Sequence, residues 1–430
     1  MKEKPVEYTK NYKRTIFTWS LYDFANQPFP TLIITFIYSA FFADFLASDF
    51  ESADSMWLYA VSISSILIAL LSPIMGVIAD KSGYRKTFLI AWTWICVIGS
   101  ILLFFPLKGQ IIFALSLVVI SNIGFEMGSV FCNSYLPHIA PKEKIGRISG
   151  YGWSFGYVGG LLSLAVCYFL FVLPDNPVNP ISGNLLDTGS GENIRFINLF
   201  VALWFFIFSI PTFIYLKDRK RDKWKYVSIK KSYSEIVTTF REIRKYKNIF
   251  RFLIARMFYN DAILTIFFFG GIYATQTFKF DFNELMVFGI VLNIAAGLGA
   301  FAFGFFDDIV GARKTVQFSN IAIFISIMIA VLAQSPIWFW VSGIILGIFS
   351  GPNQSASRSL MGRIVPKEKV NEFFGFYAFS GKATSFIGPL MLAVINQITG
   401  SQRMGILAVS LLLIVGMYLL NGVKEDSKNP

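Results

Sequence analysis

The chain has 430 residues, of which 55% are hydrophobic and only 15% charged, with a net charge of +12 and a mean hydropathy of +0.58. Soluble domains carry about a quarter charged residues, so this balance excludes an ordinary soluble protein and predicts a membrane protein. Three cysteines far apart in apolar runs (Cys96, Cys132, Cys167) and a single histidine, His138, provide no metal-ligand spacing and no histidine-based triad. No metal or cofactor is expected. The first apolar run is too long for a signal-peptide core and lacks a small-residue cleavage pattern.

A helix needs roughly 20 apolar residues to cross the hydrocarbon. Twelve such runs follow one another, at approximately 16–47, 56–79, 87–105, 111–133, 149–173, 196–216, 252–278, 285–306, 315–333, 337–361, 371–397 and 403–421. The first carries Asp23, Asn26 and Gln27, followed by Pro28 and Pro30. Proline removes helix donors, so this span is expected to kink and free carbonyls. "GVIADKSGYRK" at 76–86 joins the second and third runs. In the fourth, Asn122, Glu126, Ser129 and Asn133 follow spacings of 4, 3 and 4, one polar stripe on a helix. The fifth has Gly150, Gly152, Gly156, Gly159 and Gly160, read as a face for close helix packing.

The stretch 174–195 reads as a turn-rich connector. Segment 217–250 opens on "KDRKRDKWK"; then Ile229, Tyr233, Ile236, Phe240 and Ile243 recur at spacings of 4, 3, 4 and 3. That pattern predicts an amphipathic helix lying on the inner membrane surface. In the seventh run Arg256 and Asn260 share a face, with Asp261 about 100° further round. In the tenth, Asn353, Gln354, Ser357 and Arg358 follow Gly351-Pro352. The eleventh holds Lys382, with Gly388-Pro389 beyond it.

Lys and Arg set the orientation. With the N-terminus inside, 30 of the 38 fall in cytoplasmic segments and only Lys108, Arg195, Lys279 and Arg403 in outer loops. The positive-inside bias places both termini in the cytoplasm, expected to be that of a bacterium with the chain in its inner membrane. The basic balance is therefore topological and calls for no nucleic acid partner. Arg251 lies at a span edge and can snorkel. Arg256, Arg358 and Lys382 lie inside spans, as do Asp23, Glu126 and Asp261. A charge at mid-bilayer costs about 2.5–3.5 kcal/mol on insertion scales. Three acids against three bases is the balance of a closed internal network.

The chain also repeats itself. "GVIADKSGYRK" at 76–86 returns as "GFFDDIVGARK" at 304–314, an offset of 228. "IAPKEKIGRISGYGWSFG" at 139–156 returns as "IVPKEKVNEFFGFYAFSG" at 364–381, an offset of 225. The unit is six spans, so the halves are parallel repeats. The division expected is 1–216, a linker at 217–250, and 251–430.

The loop at 76–86, with its second copy between spans eight and nine, resembles the G-x-x-x-D-x-x-G-R-K loop of the major facilitator superfamily. "WSLYDFANQPF", "SYLPHIAPKEKIGRISGYGWSFGYVGG", "ARMFYNDAILTIFFFGGIYA" and "GPNQSASRSLMGRIVPKEK…FFGFYAFSGKATSFIGP" are similar to one bacterial branch of it, related to the fungal autophagy-named vacuolar amino-acid effluxer. The resemblance implies an all-α polytopic fold of twelve helices in two pseudo-symmetric six-helix bundles, alternating access, and amino-acid export. It implies lock loops at Gly76, Asp80, Gly83, Arg85 and Lys86 and at Gly304, Asp308, Gly311, Arg313 and Lys314. Asp80 is expected to accept from the N-terminus of the next helix or from an arginine. The resemblance further implies a cavity lined by spans one, four, seven and ten, the spans richest here in polar groups. An antiporter signature of some branches, Gly-Pro in span five, is absent, which leaves direction open.

The function expected is secondary active transport of a small polar solute, an amino acid by analogy, coupled to protons, by a monomer in contact with membrane lipid. The candidate substrate or coupling residues are Asp23, Asn26, Gln27, Asn122, Glu126, Asn133, Arg256, Asn260, Asp261, Asn353, Gln354, Arg358 and Lys382. A substrate carboxylate would meet Arg358 or Lys382, and its ammonium Asp23, Glu126 or Asp261. Glu126 is favoured as the proton carrier. A lipid or drug exporter of the same fold is the alternative. A sensor or scaffold would want a soluble module, an enzyme a nucleophile with its base, and ATP drive a G-x-x-x-x-G-K-[ST] loop; none is present.

Overall fold

The computed structural model describes residues 10–50, 52–180, 182–218, 237–239 and 245–425. The amphipathic helix expected within 217–250 falls largely outside these residues. Among the described residues, eleven helices are long and apolar enough to cross a membrane: Tyr12–Leu46, Ala53–Ser82, Arg85–Leu102, Ile111–Ile139, Lys142–Val172, Glu192–Tyr215, Lys247–Phe278, Asn283–Val310, Ala312–Leu332, Val370–Thr399 and Gln402–Asn421. The tenth span, Pro336–Ile364, is as long but less apolar, because Asn353, Gln354 and Arg358 fall within it. Helices satisfy every backbone group within the segment, which is what a bilayer demands. The connector after the fifth span holds one isolated bridge, Val178 to Leu185. Arg195, read above as an outer-loop residue, lies instead in the first turn of the sixth helix. There it is buried and donates to the Phe104 carbonyl at 3.2 Å.

Proline shapes three spans. Regular α-helix stops at Asn26 in the first, and wider turns run from Phe29 to Phe36. Pro28 has no N–H for the Phe24 carbonyl, and the Trp204 indole takes that acceptor at 3.2 Å. In the tenth, Pro352 frees the Ile348 carbonyl. The eighth span passes so close that a Cβ on Gly299 would sit 2.0 Å from that oxygen. The eleventh span, read above as one run, is in two pieces, Val370–Lys382 and Ile387–Thr399, with Pro389 in the first turn of the second. Proline is tolerated there because first-turn donors lack partners anyway.

Two hydrophobic cores form, one from Trp19 to Leu216 and one from Ile249 to Val423 that also takes in Val130. The halves meet at the end that carries the basic loops. The second span packs on the first piece of the eleventh, where Ser72 donates to the Gly375 carbonyl at 3.0 Å. A Cβ on Gly375 would lie 2.3 Å from the Ser72 carbonyl, and one on Gly76 2.3 Å from that of Asn371. The fifth packs likewise on the eighth, with Gly150 against the Ala300 carbonyl and Gly304 against Arg147 Cα. Away from the basic end, the second piece of the eleventh packs on the seventh and twelfth spans of its own half. Among the described residues, the contacts between the halves gather at the basic end and continue to mid-span, where Ser154 donates to the Gly297 carbonyl at 2.8 Å.

Valine at Gly375 would force the second and eleventh backbones apart. A cysteine placed at Ser72, now fully buried, is expected to become reactive to a polar thiol reagent in the Gly375→Val background and to stay protected without it.

Candidate functional site

Four of the six mid-span charges pair across the two halves. Arg358 of the tenth span donates to Asp23 of the first at 2.8 Å and to the Asn133 side-chain oxygen of the fourth at 2.9 Å. It also donates to Ser149 of the fifth, to the hydroxyl at 3.0 Å and the carbonyl at 2.7 Å. Its guanidinium lies over the Trp19 ring, 4.8 Å from the centroid. All these partners belong to the other half. Lys382 ends the first piece of the eleventh span and pairs with Glu126 of the fourth at 2.6 Å. The two pairs differ in access: Lys382 and Glu126 are 27% and 21% exposed, whereas Arg358 and Asp23 are 3% and 16% exposed. A cation at a helix C-terminus also complements the helix dipole.

Gly152 makes room for the buried pair. A Cβ there would lie 2.5 Å from both Arg358 Nη2 and Asp23 Oδ2. The sequence presents the fifth-span glycines as packing positions, and the structure divides them. Gly150 and Gly159 face backbone, but Gly152 faces the side chains of Arg358 and Asp23, Gly156 faces Asp23 and Gln27, and Gly160 faces Gln27 and Thr31. Ser149 and Trp19 were not marked by the sequence, and Gly152 was marked only as a packing position, since none of the three stands out as costly inside a span.

The remaining candidates bond within their own half. Asn26 reaches Ser129 at 3.3 Å, and Asn122 reaches Ser64 at 2.7 Å. Gln27 lies against the fifth span beside Gly156 and Gly160. Asn260 accepts from Gln354 at 3.0 Å. Asn353 turns to the ninth span and donates to Asn320 at 2.6 Å. Arg256 is buried, donates to the Tyr377 carbonyl and the Ser380 hydroxyl at 3.0 Å each, and lies 3.8 Å over the Tyr377 ring. Asp261 accepts from the backbone N–H of Gly388 at 2.9 Å.

The lock loops form a symmetric pair of caps. Asp80 accepts from the backbone N–H groups of Asn371 and Glu372 at 3.1 and 2.8 Å. Asp308 accepts from those of Gly146 and Arg147 at 2.8 and 3.3 Å. The offset of 225 carries Gly146 and Arg147 onto Asn371 and Glu372. The N-terminus that Asp80 caps is thus not that of the next helix but of the eleventh, in the other half. Each carboxylate satisfies orphan donors at a helix start and complements its dipole. Gly83 and Gly311 take positive φ, 76° and 98°, at the turns.

A second pair of acids, missed in the sequence, caps the third and ninth spans. Asp218 accepts from the Lys86 N–H at 2.9 Å and lies 3.8 Å from Arg85, which stacks on Tyr135 and donates to the Ser134 carbonyl. Glu425 accepts from the N–H groups of Ala312 and Arg313 at 3.0 and 2.8 Å. Arg363, in the last turn of the tenth span, ties Glu425 at 2.9 Å to Asp307 at 2.6 Å. Lys314 is exposed on the first turn of the ninth span.

A family model described as vacuole effluxer Atg22-like matches residues 46–429. The chain belongs to that family. It is 26% identical to the MFS-type transporter YxiO of Bacillus subtilis, over 97% of this chain and 96% of that one. Autophagy-related protein 22 of Coccidioides immitis is 24% identical over 87% of this chain and 74% of its own. In fold, the proton:xylose symporter XylE superposes with a TM-score of 0.76 at 11% identity, covering 96% of each chain. This Atg22-like chain therefore has the major facilitator fold of two six-helix bundles. It is a multi-pass membrane transporter and not an enzyme.

Breaking one partner of a buried ion pair costs about 3–5 kcal/mol, whereas replacing both can be nearly neutral. Arg358→Met is expected to lower the thermal midpoint in detergent sharply, and Asp23→Asn with Arg358→Met to recover most of the loss. A double variant as unstable as the single one would mean that Arg358 acts by stacking on Trp19 instead.

Proposed function

We propose that this Atg22-like transporter moves a small zwitterionic solute, an amino acid, by alternating access coupled to protons. The observation that carries the reading is that both mid-span ion pairs join residues of opposite halves. When one half rocks against the other, each pair has to part, and charges left in a low dielectric need new partners. A zwitterion supplies one of each sign. Its carboxylate would take Lys382 and its ammonium Glu126, the more exposed pair, with Asp23 and Arg358 at the floor of the cavity. The family's description as a vacuole effluxer favours a solute carrier over a lipid exporter.

Both termini are assigned to the cytoplasm of a bacterial cell and the chain to its inner membrane, on the distribution of Lys and Arg. In that orientation the closed basic end is cytoplasmic and the state described faces outward. The working unit is a monomer, divided at 1–216, 217–250 and 251–430; two cores, one within 19–216 and the other mostly within 249–423, support the division.

The test is a thermal-shift screen of the purified protein against amino acids, sugars, organic acids, cationic drugs and lysolipids. A ligand at 100 times its Kd stabilises by about 2.7 kcal/mol. Amino acids are expected to raise the midpoint of the wild type, and Glu126→Gln to remove that rise. Stabilisation by amphiphiles alone would overturn the proposal in favour of a lipid or drug exporter.

A further inference from the structure

Asp261 differs from the other two mid-span acids in having no basic partner. Its residue is 3% exposed, and among the described residues no Lys, Arg or His nitrogen lies within 4.0 Å of its carboxylate. One oxygen accepts the Gly388 N–H at 2.9 Å, at the start of the second piece of the eleventh span. The other, Oδ1, is buried with no hydrogen-bond partner. One turn further along the seventh span, the Thr265 hydroxyl is also buried without a partner. Residues four apart on a helix are neighbours. Both free oxygens look onto Gly388: a Cβ there would lie 2.1 Å from Thr265 Oγ1 and 3.2 Å from Asp261 Oδ1.

The charged groups on the elements packed around this point are engaged elsewhere. Arg256, on the same helix, holds the Tyr377 carbonyl and Ser380. Lys382, at the end of the first piece of the eleventh span, holds Glu126. Arg358 of the tenth span holds Asp23. The twelfth span has no charged residue from Met404 to Asn421, and the eighth none from Leu285 to Phe306.

We infer that Asp261, and not the paired Glu126, carries the coupling proton, with Thr265 as its hydrogen-bond partner. The inference rests on the transport reading above. A lone carboxylate in the hydrocarbon region holds a proton or finds a cation. Thr265 Oγ1, which also borders Gly388, is not bonded to Oδ1 in this structure. A proton on Oδ1 makes that oxygen a donor, with Thr265 Oγ1 as an acceptor it can turn to. It needs no extra volume where Gly388 packs tightly. The position also couples the proton to movement. The ionised carboxylate caps the N-terminus of the outer piece of the eleventh span, and the neutral acid holds that helix dipole less strongly. Uptake of the proton loosens the piece that has to swing inward for the open end to close; release restores the cap.

The test is infrared difference spectroscopy of the full chain in lipid nanodiscs, titrated with acid, which reads protonated carboxyl groups without any substrate. The wild type is expected to show a carboxylic-acid C=O band that Asp261→Asn loses and Glu126→Gln keeps. Asn retains an oxygen for the Gly388 N–H, which preserves the cap. Thr265→Val is expected to keep the band and move it to higher frequency, since its hydrogen bond is gone. A band unchanged in Asp261→Asn, or lost in Glu126→Gln instead, would overturn the inference. Proteoliposomes loaded against a pH gradient with a radiolabelled mixture of the twenty amino acids form the second arm. Asp261→Asn is expected to abolish the dependence of accumulation on the gradient. A wild type that accumulates none of the mixture removes the amino-acid reading, while the infrared band still decides whether Asp261 takes up the proton.

Discussion

A charge inside the hydrocarbon is costly unless it finds a partner, and in this protein the two ion pairs that meet this cost join opposite halves. Arg358 gathers Asp23, Asn133 and Ser149 from three spans of the first bundle, and Lys382 takes Glu126 from the fourth span. Neither bundle neutralises these charges by itself. Their burial therefore holds the bundles together at mid-depth, and it makes the same contacts expensive to break. A static protein gains little from such an arrangement, since apolar residues of similar volume would do as well. A protein whose halves must part and rejoin gains a set of charges that are exposed in turn.

The basic end is held by a different device. Asp80 and Asp308 each cap a helix of the other half, at positions that the internal repeat makes equivalent. A helix start offers several unpaired donors at once, so one carboxylate makes two backbone hydrogen bonds there, and the Asn371 amide and the Arg147 guanidinium each add a side-chain donor. Glycines let the backbones come close enough for this. Gly76 and Gly304 bring the second and eighth spans onto the eleventh and fifth, where a methyl group would not fit. Asp218 and Glu425 then fasten the third and ninth spans within each half, and Arg363 joins Glu425 to Asp307 beside the symmetric caps.

Breaks in the helices place the remaining groups. The eleventh span stops at Lys382 and resumes at Ile387, so one half-helix ends on a cation and the next begins beside the Asp261 carboxylate. Irregular backbone at this depth is tolerated only where it is buried in protein or lines a wet cavity. The kink of the first span follows the same logic, with Trp204 taking the carbonyl that Pro28 leaves free.

Much of this was legible in the residues alone. Span number, the repeat and the loop motifs follow from local quantities: the transfer cost of each residue, the helical period, and two stretches that recur at nearly one offset. The six mid-span charges were visible for the same reason, because each is costly where it stands. What the residues alone left open was who meets whom. Asp23 and Arg358 are 335 positions apart, and nothing local distinguishes Arg358 from Arg256, which stacks on a tyrosine instead. The role of Gly152 was hidden, since a missing Cβ has meaning only once its neighbours are known. So was the isolation of Asp261, a property of everything packed around it. The sequence by itself determined which groups need partners; the packing of one bundle on the other decided which of them found one, because pairing is settled by distances between helices that no local pattern encodes.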